Sequence, residues 1–231
     1  MAAHDYTLGS VATAEKTFIQ RVYGWMAAGL ALTGVVAWVV ANDPDMVRAI
    51  VMNRIAFWAL LILELAMVWI LTAAIGKMSV GIATSMFLVY AGVNGMTLSV
   101  IFLAYTQESI AVTFFVTAGT FGAMCVYGMA TKRDLTSVGS FCFMALIGLI
   151  LASVVNMFLK SSALYWVTTY AGILIFVGLT AYDAQKIKQM HAASVEGSDE
   201  AKKGSILGAL ALYLDFINLF LLLLRLFGRR R

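Results

Sequence analysis

Four charged residues lie inside long apolar runs: Glu64, Asp183, Asp215 and Arg225. A charge held in hydrocarbon costs about 2.5–3.5 kcal/mol on insertion scales, so each needs a partner or a function. Arg225 stands near the end of its run and can extend its guanidinium to the interface. Glu64 and Asp215 cannot, because each lies roughly nine residues, or about 13 Å, from the end of its run. Two carboxylates at one depth in a medium of low dielectric cannot both ionise cheaply, so they share a proton and titrate as a pair. Asp183 and Asp215 meet that condition. The stretch from Ala181 to Met190 has no helix breaker, so its helix continues past the hydrocarbon to about Met190. Asp183 then lies roughly 10 Å from that end, and Asp215 about 13 Å from the start of the next run. In an antiparallel pair those depths nearly match. The chemistry expected is that of a pH sensor. Three acids against one base also leave an interior that attracts cations and repels anions. Glu64 is the best-placed partner for Arg225, since pairing lowers the cost of each.

Other polar residues carry weaker signals. Asn94, Asn156 and Asn218 lie within apolar runs, where interhelical hydrogen bonding is their expected role. Asn218 follows Asp215 by one helical turn and is the candidate to orient that carboxylate. Gly204 and Gly208 have the spacing that lets two helices approach closely. Cys125 and Cys142 sit in separate apolar runs and read as small packing residues, with no disulfide or metal role. His4 and His191 fall outside the runs and read as solvated. With no histidine in a run there is no zinc set, and Gly76-Lys77 lacks the rest of a phosphate-binding loop. No cofactor is expected.

These residues need a membrane to give them meaning. The chain has 231 residues, 62% hydrophobic and only 12% charged, with a mean hydropathy of +0.90. Water-soluble domains carry about 25% charged residues, so this composition excludes one. A net charge of +4 comes from short clusters between runs and marks topology, not a nucleic-acid surface. A bilayer core needs about 20 apolar residues per helix. Seven runs fit: Val22–Ala41, Ile55–Ile75, Val80–Ala104, Ser109–Ala130, Leu135–Leu159, one from Leu164 past Asp183, and Ile206–Phe227. The runs are continuous, not alternating, so they are helices. The division is an N-terminal tail over 1–21, a seven-helix domain over 22–228 and a basic tail over 229–231, with one extended polar connection over 192–204. No cleavable leader is expected, because the first run follows a polar stretch and lacks a cleavage site.

Lysine and arginine counts orient the chain. With the N-terminus in the cytoplasm, Lys16, Arg21, Lys77, Lys132, Arg133, Lys186, Lys188, Lys202 and Lys203 fall inside, and only Arg48, Arg54 and Lys160 fall in outer loops. In this frame Glu64 and Arg225 share the outer half of the bilayer. Seven crossings put Arg229-Arg230-Arg231 outside, against that bias, whereas a re-entrant last helix would keep the tail inside. The length of Ile206–Phe227 favours the crossing.

The segments GLTAYDAQKIK (178–188) and ALYLDFINLFLLLLRLFG (211–228), with LELAM (63–67), resemble the signature of the Bax inhibitor motif family, in its bacterial form. The resemblance extends over 22–228. It implies an all-α membrane fold with six helices around a central seventh, and activity as a pH-sensitive calcium leak. It also implies that Asp183 and Asp215 are the family's paired aspartates, and that Glu64 and Arg225 form its latch. Calcium is thereby the permeant ion and an inner membrane the location. One departure is at the inner end of helix two, where some bacterial relatives carry a basic cluster and this chain has only Lys77.

Other functions are weighed by the same residues. Intramembrane aspartyl proteases place one aspartate after a tyrosine, as Tyr182-Asp183 does. Their second motif needs Gly-x-Gly-Asp where this chain has Leu212-Tyr213-Leu214-Asp215, and their Pro-Ala-Leu motif has no counterpart because Pro44 is the only proline. A proton-coupled transporter would show paired repeats, and none is seen. A non-conducting regulator that binds a membrane protease or cell-death factor stays open. The reading is a passive, pH-gated cation pathway, not an enzyme, whose partners are the bilayer and calcium or other cations.

Overall fold

The structure, a computed structural model, describes the backbone over residues 2–192 and 197–231 and the side chains over 15–190 and 197–231. Among the described residues seven helices are long and apolar enough to cross a membrane. They are α1 (Ala2–Asn42), α2 (Arg54–Ala74), α3 (Val80–Ala104), α4 (Gln107–Ala130), α5 (Thr136–Leu159), α6 (Ser162–Ala192) and α7 (Asp199–Phe227). An all-α membrane protein is thus the fold. Large apolar side chains such as Ile55, Trp69, Phe115, Phe158 and Leu174 are exposed, a surface that suits acyl chains and not water.

Short polar segments end the helices. Asp43 accepts from the backbone N–H groups of Asp45 and Met46, with Pro44 at a first-turn position that needs no donor. Asn53 accepts from Ile55 and Ala56 at the start of α2. Asp134 accepts from both the N–H and the hydroxyl of Thr136, which holds its carboxyl below the usual range. Lys160 closes α5 in the left-handed region, at φ 48°. Here Asn156 departs from expectation: its Oδ1 accepts from the Ser161 N–H at 2.9 Å, so it caps its own helix.

Two helices begin well before their apolar runs, by more than a turn. α7 starts at Asp199 and not Ile206, because the Ser198 hydroxyl accepts from Ala201 N–H at 3.1 Å and Asp199 and Glu200 face the positive end of the dipole. The extended connection expected over 192–204 is shortened accordingly; 193–196 lie outside the described residues. α1 is already helical at Ala2, and its membrane span opens at Glu15. The side chains of His4 and His191 also lie outside the described residues.

The chain forms two compact units. The first comprises Met1–Ala104 and Ile187–Tyr213. In it the Gly204/Gly208 face of α7 packs closely, and a Cβ on Gly208 would lie 3.1 Å from Ile187 and 3.4 Å from Val22. The second comprises Tyr105–Lys186 and Leu214–Arg231. There Phe216 of α7 meets Phe114 and Phe121 of α4 edge-on, each at 5.4 Å. The α7 helix is the most thoroughly buried of the seven, and it contributes to both units. Its packing is that of a helix with protein on most sides.

Candidate functional site

The second unit brings Asp183 of α6 and Asp215 of α7 within electrostatic reach of each other. Asp215 is only 5% exposed, and its Oδ2 is buried without a hydrogen-bond partner. Asp183 is half-buried, and Lys186, one turn on, is the cation acting on it. Glycines seat this part of α6. A Cβ on Gly128 of α4 would run into the Ala181 carbonyl oxygen, and one on Gly139 of α5 would lie 2.5 Å from the Tyr182 ring. Gly178 faces the Cys142 sulfur in the same way, at 2.6 Å, and that thiol is within reach of the Asp215 charge. Below Asp183, Gln185 pins the loop before α5: its Oε1 accepts from Leu135 N–H and its Nε2 donates to the Arg133 carbonyl, both at 2.8 Å. Asp183 is thus held on a tightly seated backbone. Carboxylate oxygens are ligands suited to hard cations, and among the described residues no cluster of three His, Cys, Asp or Glu side chains forms.

Glu64 belongs to the first unit, where four helices build a polar cradle around it. Asn94 of α3 donates its Nδ2 to Glu64 Oε2 at 3.0 Å, and the Thr97 hydroxyl donates to Oε1. Asn94 Oδ1 in turn accepts from the Tyr213 hydroxyl of α7 at 2.9 Å. That hydroxyl also pairs with Thr33 of α1 at 2.6 Å, and Thr33 reaches the Ala91 carbonyl at 2.8 Å. Tyr213 is fully buried, with its ring edge-on to Phe87 and Tyr90. Inside a membrane each of these groups must find a partner in the protein, and the chain from Glu64 to Ala91 satisfies them in sequence. Asn94 therefore bonds between helices, as expected. Thr33, Thr97 and Tyr213 were not legible, because a hydroxyl in an apolar run carries no charge to mark it.

Arg225 lies in the second unit, exposed, with its guanidinium 4.9 Å from the centre of the Tyr165 ring, a cation–π arrangement. Asn218 does not orient Asp215. Its Nδ2 donates to the Leu214 carbonyl of its own helix at 2.8 Å, the local bond that a short amide prefers when no acceptor stands opposite. Cys125 and Cys142 are buried, and neither is in a disulfide.

The family model described as inhibitor of apoptosis-promoting Bax1 matches residues 15–231. The chain is 54% identical over 217 residues to the inner membrane protein YbhL of Escherichia coli strain K12, covering 94% of this chain and 93% of that one. It is 45% identical over 237 residues to an uncharacterized protein of Rickettsia prowazekii, covering 98% and 99%. An uncharacterized protein of Borreliella burgdorferi is 42% identical over 217 residues, covering 94% of each chain. With its seven apolar helices and a family match over nearly its whole length, the chain belongs to the Bax inhibitor-1 family of membrane proteins.

Proposed function

We propose that the protein is a passive cation leak, carrying calcium, whose passage is set by the protonation of the Asp183–Asp215 pair. The observation that carries this reading is a buried carboxylate, Asp215, with an oxygen lacking any hydrogen-bond partner and a second carboxylate within reach. Such a pair holds one proton more readily than two charges, so its charge changes with pH where a cation would pass. Calcium as the ion follows from the family resemblance. From the same source come the roles of Glu64 and Arg225 as a latch that restrains opening. A location in the bacterial inner membrane is supported by the name of the Escherichia coli relative, and a cytoplasmic N-terminus by the excess of lysine and arginine on one set of loops.

The test is flux of calcium, sodium and protons into liposomes holding the purified protein, across a range of pH. Asp183→Asn and Asp215→Asn each keep shape and a polar group but abolish the titrating pair. Each variant is expected to lose most of the pH dependence of the leak, whatever its absolute rate. A wild-type pH profile in both variants would return the aspartates to a structural role. No flux from the wild-type protein at any pH would favour the non-conducting regulator.

A further inference from the structure

An open groove of about 550 Å³ runs between α2 and α3 in the first unit. One wall is a stripe of Ile82, Ser85, Met86 and Val89 of α3 led by Ser79 just before the helix, with Met67 of α2 opposite. Ten residues of rise make that wall about 15 Å long, a length that takes most of one acyl chain. Gly81 keeps the groove open, since nothing lies within 4 Å of where its Cβ would be. The outer positions Ser79, Ile82, Ser85 and Val89 are exposed.

One end of the groove is basic. Lys77 ends the single turn of 3-10 helix that follows α2, two residues before Ser79, and is exposed. Lys203 reaches the same turn from α7, its ammonium donating to the Gly76 carbonyl at 3.4 Å. Among the described residues neither is paired to a carboxylate; the neighbouring Lys202 is the one bound to an acid, Asp199. Lipid tails gain nothing by leaving other tails for an apolar groove, so selectivity here must come from the headgroup end. Two ammonium groups at the turn that leads into this groove suit a phosphate with no compensating positive charge. We propose that this groove binds one anionic phospholipid, an acyl chain lying along α3 and its phosphate held by Lys77 and Lys203.

The test uses the full-length protein in detergent, offered equal amounts of phosphatidylglycerol and phosphatidylcholine of identical chains, with retained lipid read by native mass spectrometry. One phosphatidylglycerol is expected to be kept at about thirtyfold preference, the scale that two interfacial lysines provide. Lys77→Gln with Lys203→Gln is expected to abolish the preference. Ser85→Trp, at an exposed position that does not disturb the core, fills the groove and is expected to abolish retention of either lipid. An unchanged unfolding midpoint confirms that both variants are folded, and Lys77→Gln alone, expected to remove part of the preference, serves if the double variant is not. Equal retention of the two lipids by the wild-type protein overturns the site. So does a preference that survives either variant set, or a mass showing a second copy of the chain in place of lipid.

Discussion

Tyr213→Phe removes one oxygen from the Glu64 cradle and leaves the ring against Phe87 and Tyr90. Asn94 then loses the donor that fixes its carbonyl, and Thr33 loses a partner. Interhelical hydrogen bonds in membranes are worth about 0.6–2 kcal/mol, so a destabilisation of about 1 kcal/mol is expected in reversible unfolding from mixed micelles. A change below a few tenths would show that the hydroxyl chain contributes little. The proposed latch calls for a different measurement. Glu64→Gln and Arg225→Gln are each expected to raise the leak, and the double variant to raise it little further; additive effects would mean the two act independently. At this scale the sequence spoke through charge. An acid in an apolar run is conspicuous, so Glu64, Asp183 and Asp215 could be singled out before any geometry. The neutral residues that surround them could not. Thr97 and Tyr213 look like packing until the helices are placed, and Asn218 shares a helix face with Asp215 without sharing a bond, because its own backbone supplies a nearer acceptor.

The elements that seat the aspartates depend on glycines more than on the acids themselves. Gly128→Ala drives a Cβ into the Ala181 backbone, which can yield only if α6 moves as a whole. Gly139→Ala meets the base of the Tyr182 ring, where rotation gives no relief. Each is expected to cost about 1–3 kcal/mol, the usual range for overpacking, and to disturb the pH profile of flux by shifting Asp183. Gly119 lies on the same α4 helix with nothing near its Cβ position. Gly119→Ala is therefore expected to be neutral, or to stabilise by about 0.5–1 kcal/mol through helix propensity. Equal losses at all three positions would argue that the close approach has no special role. Helix boundaries were legible where a polar residue interrupts the hydrocarbon run: α3 is found at Val80–Ala104, as expected. They were not legible where a helix continues into water. Counting apolar residues measures bilayer thickness, so it placed the start of α7 at Ile206, whereas capping by Ser198 sets it at Asp199.

For the whole molecule, two charge signals in the sequence pull its ends to the same side of the membrane. The lysine and arginine count favours an N-terminus inside, yet Arg229-Arg230-Arg231 would prefer the same side. The two ends of α7 bear on this conflict. Near its start, Lys203 donates to Gly76 in the turn that precedes α3. Just past its end, the Arg229 carbonyl accepts from Thr106 N–H at 3.0 Å in the turn that follows α3, and Arg229 N–H donates to the Ser109 hydroxyl at 3.2 Å in the first turn of α4. α3 has 25 residues, about 37 Å of rise, which exceeds the hydrocarbon thickness of about 30 Å. A helix that starts beside one end of α3 and finishes beside the other crosses with it; a re-entrant helix would return to the turn it left. The Arg229 backbone bonds to Thr106 N–H and the Ser109 hydroxyl hold the basic tail at the far end of α3 from Lys203, whatever its charge prefers. A reporter fused after Arg231 should therefore read outside, and one inserted at Ser198 should read inside. A cytoplasmic signal from both would eliminate the full crossing of α7, and a reversal of both would overturn the orientation drawn from lysine and arginine while leaving the crossing intact.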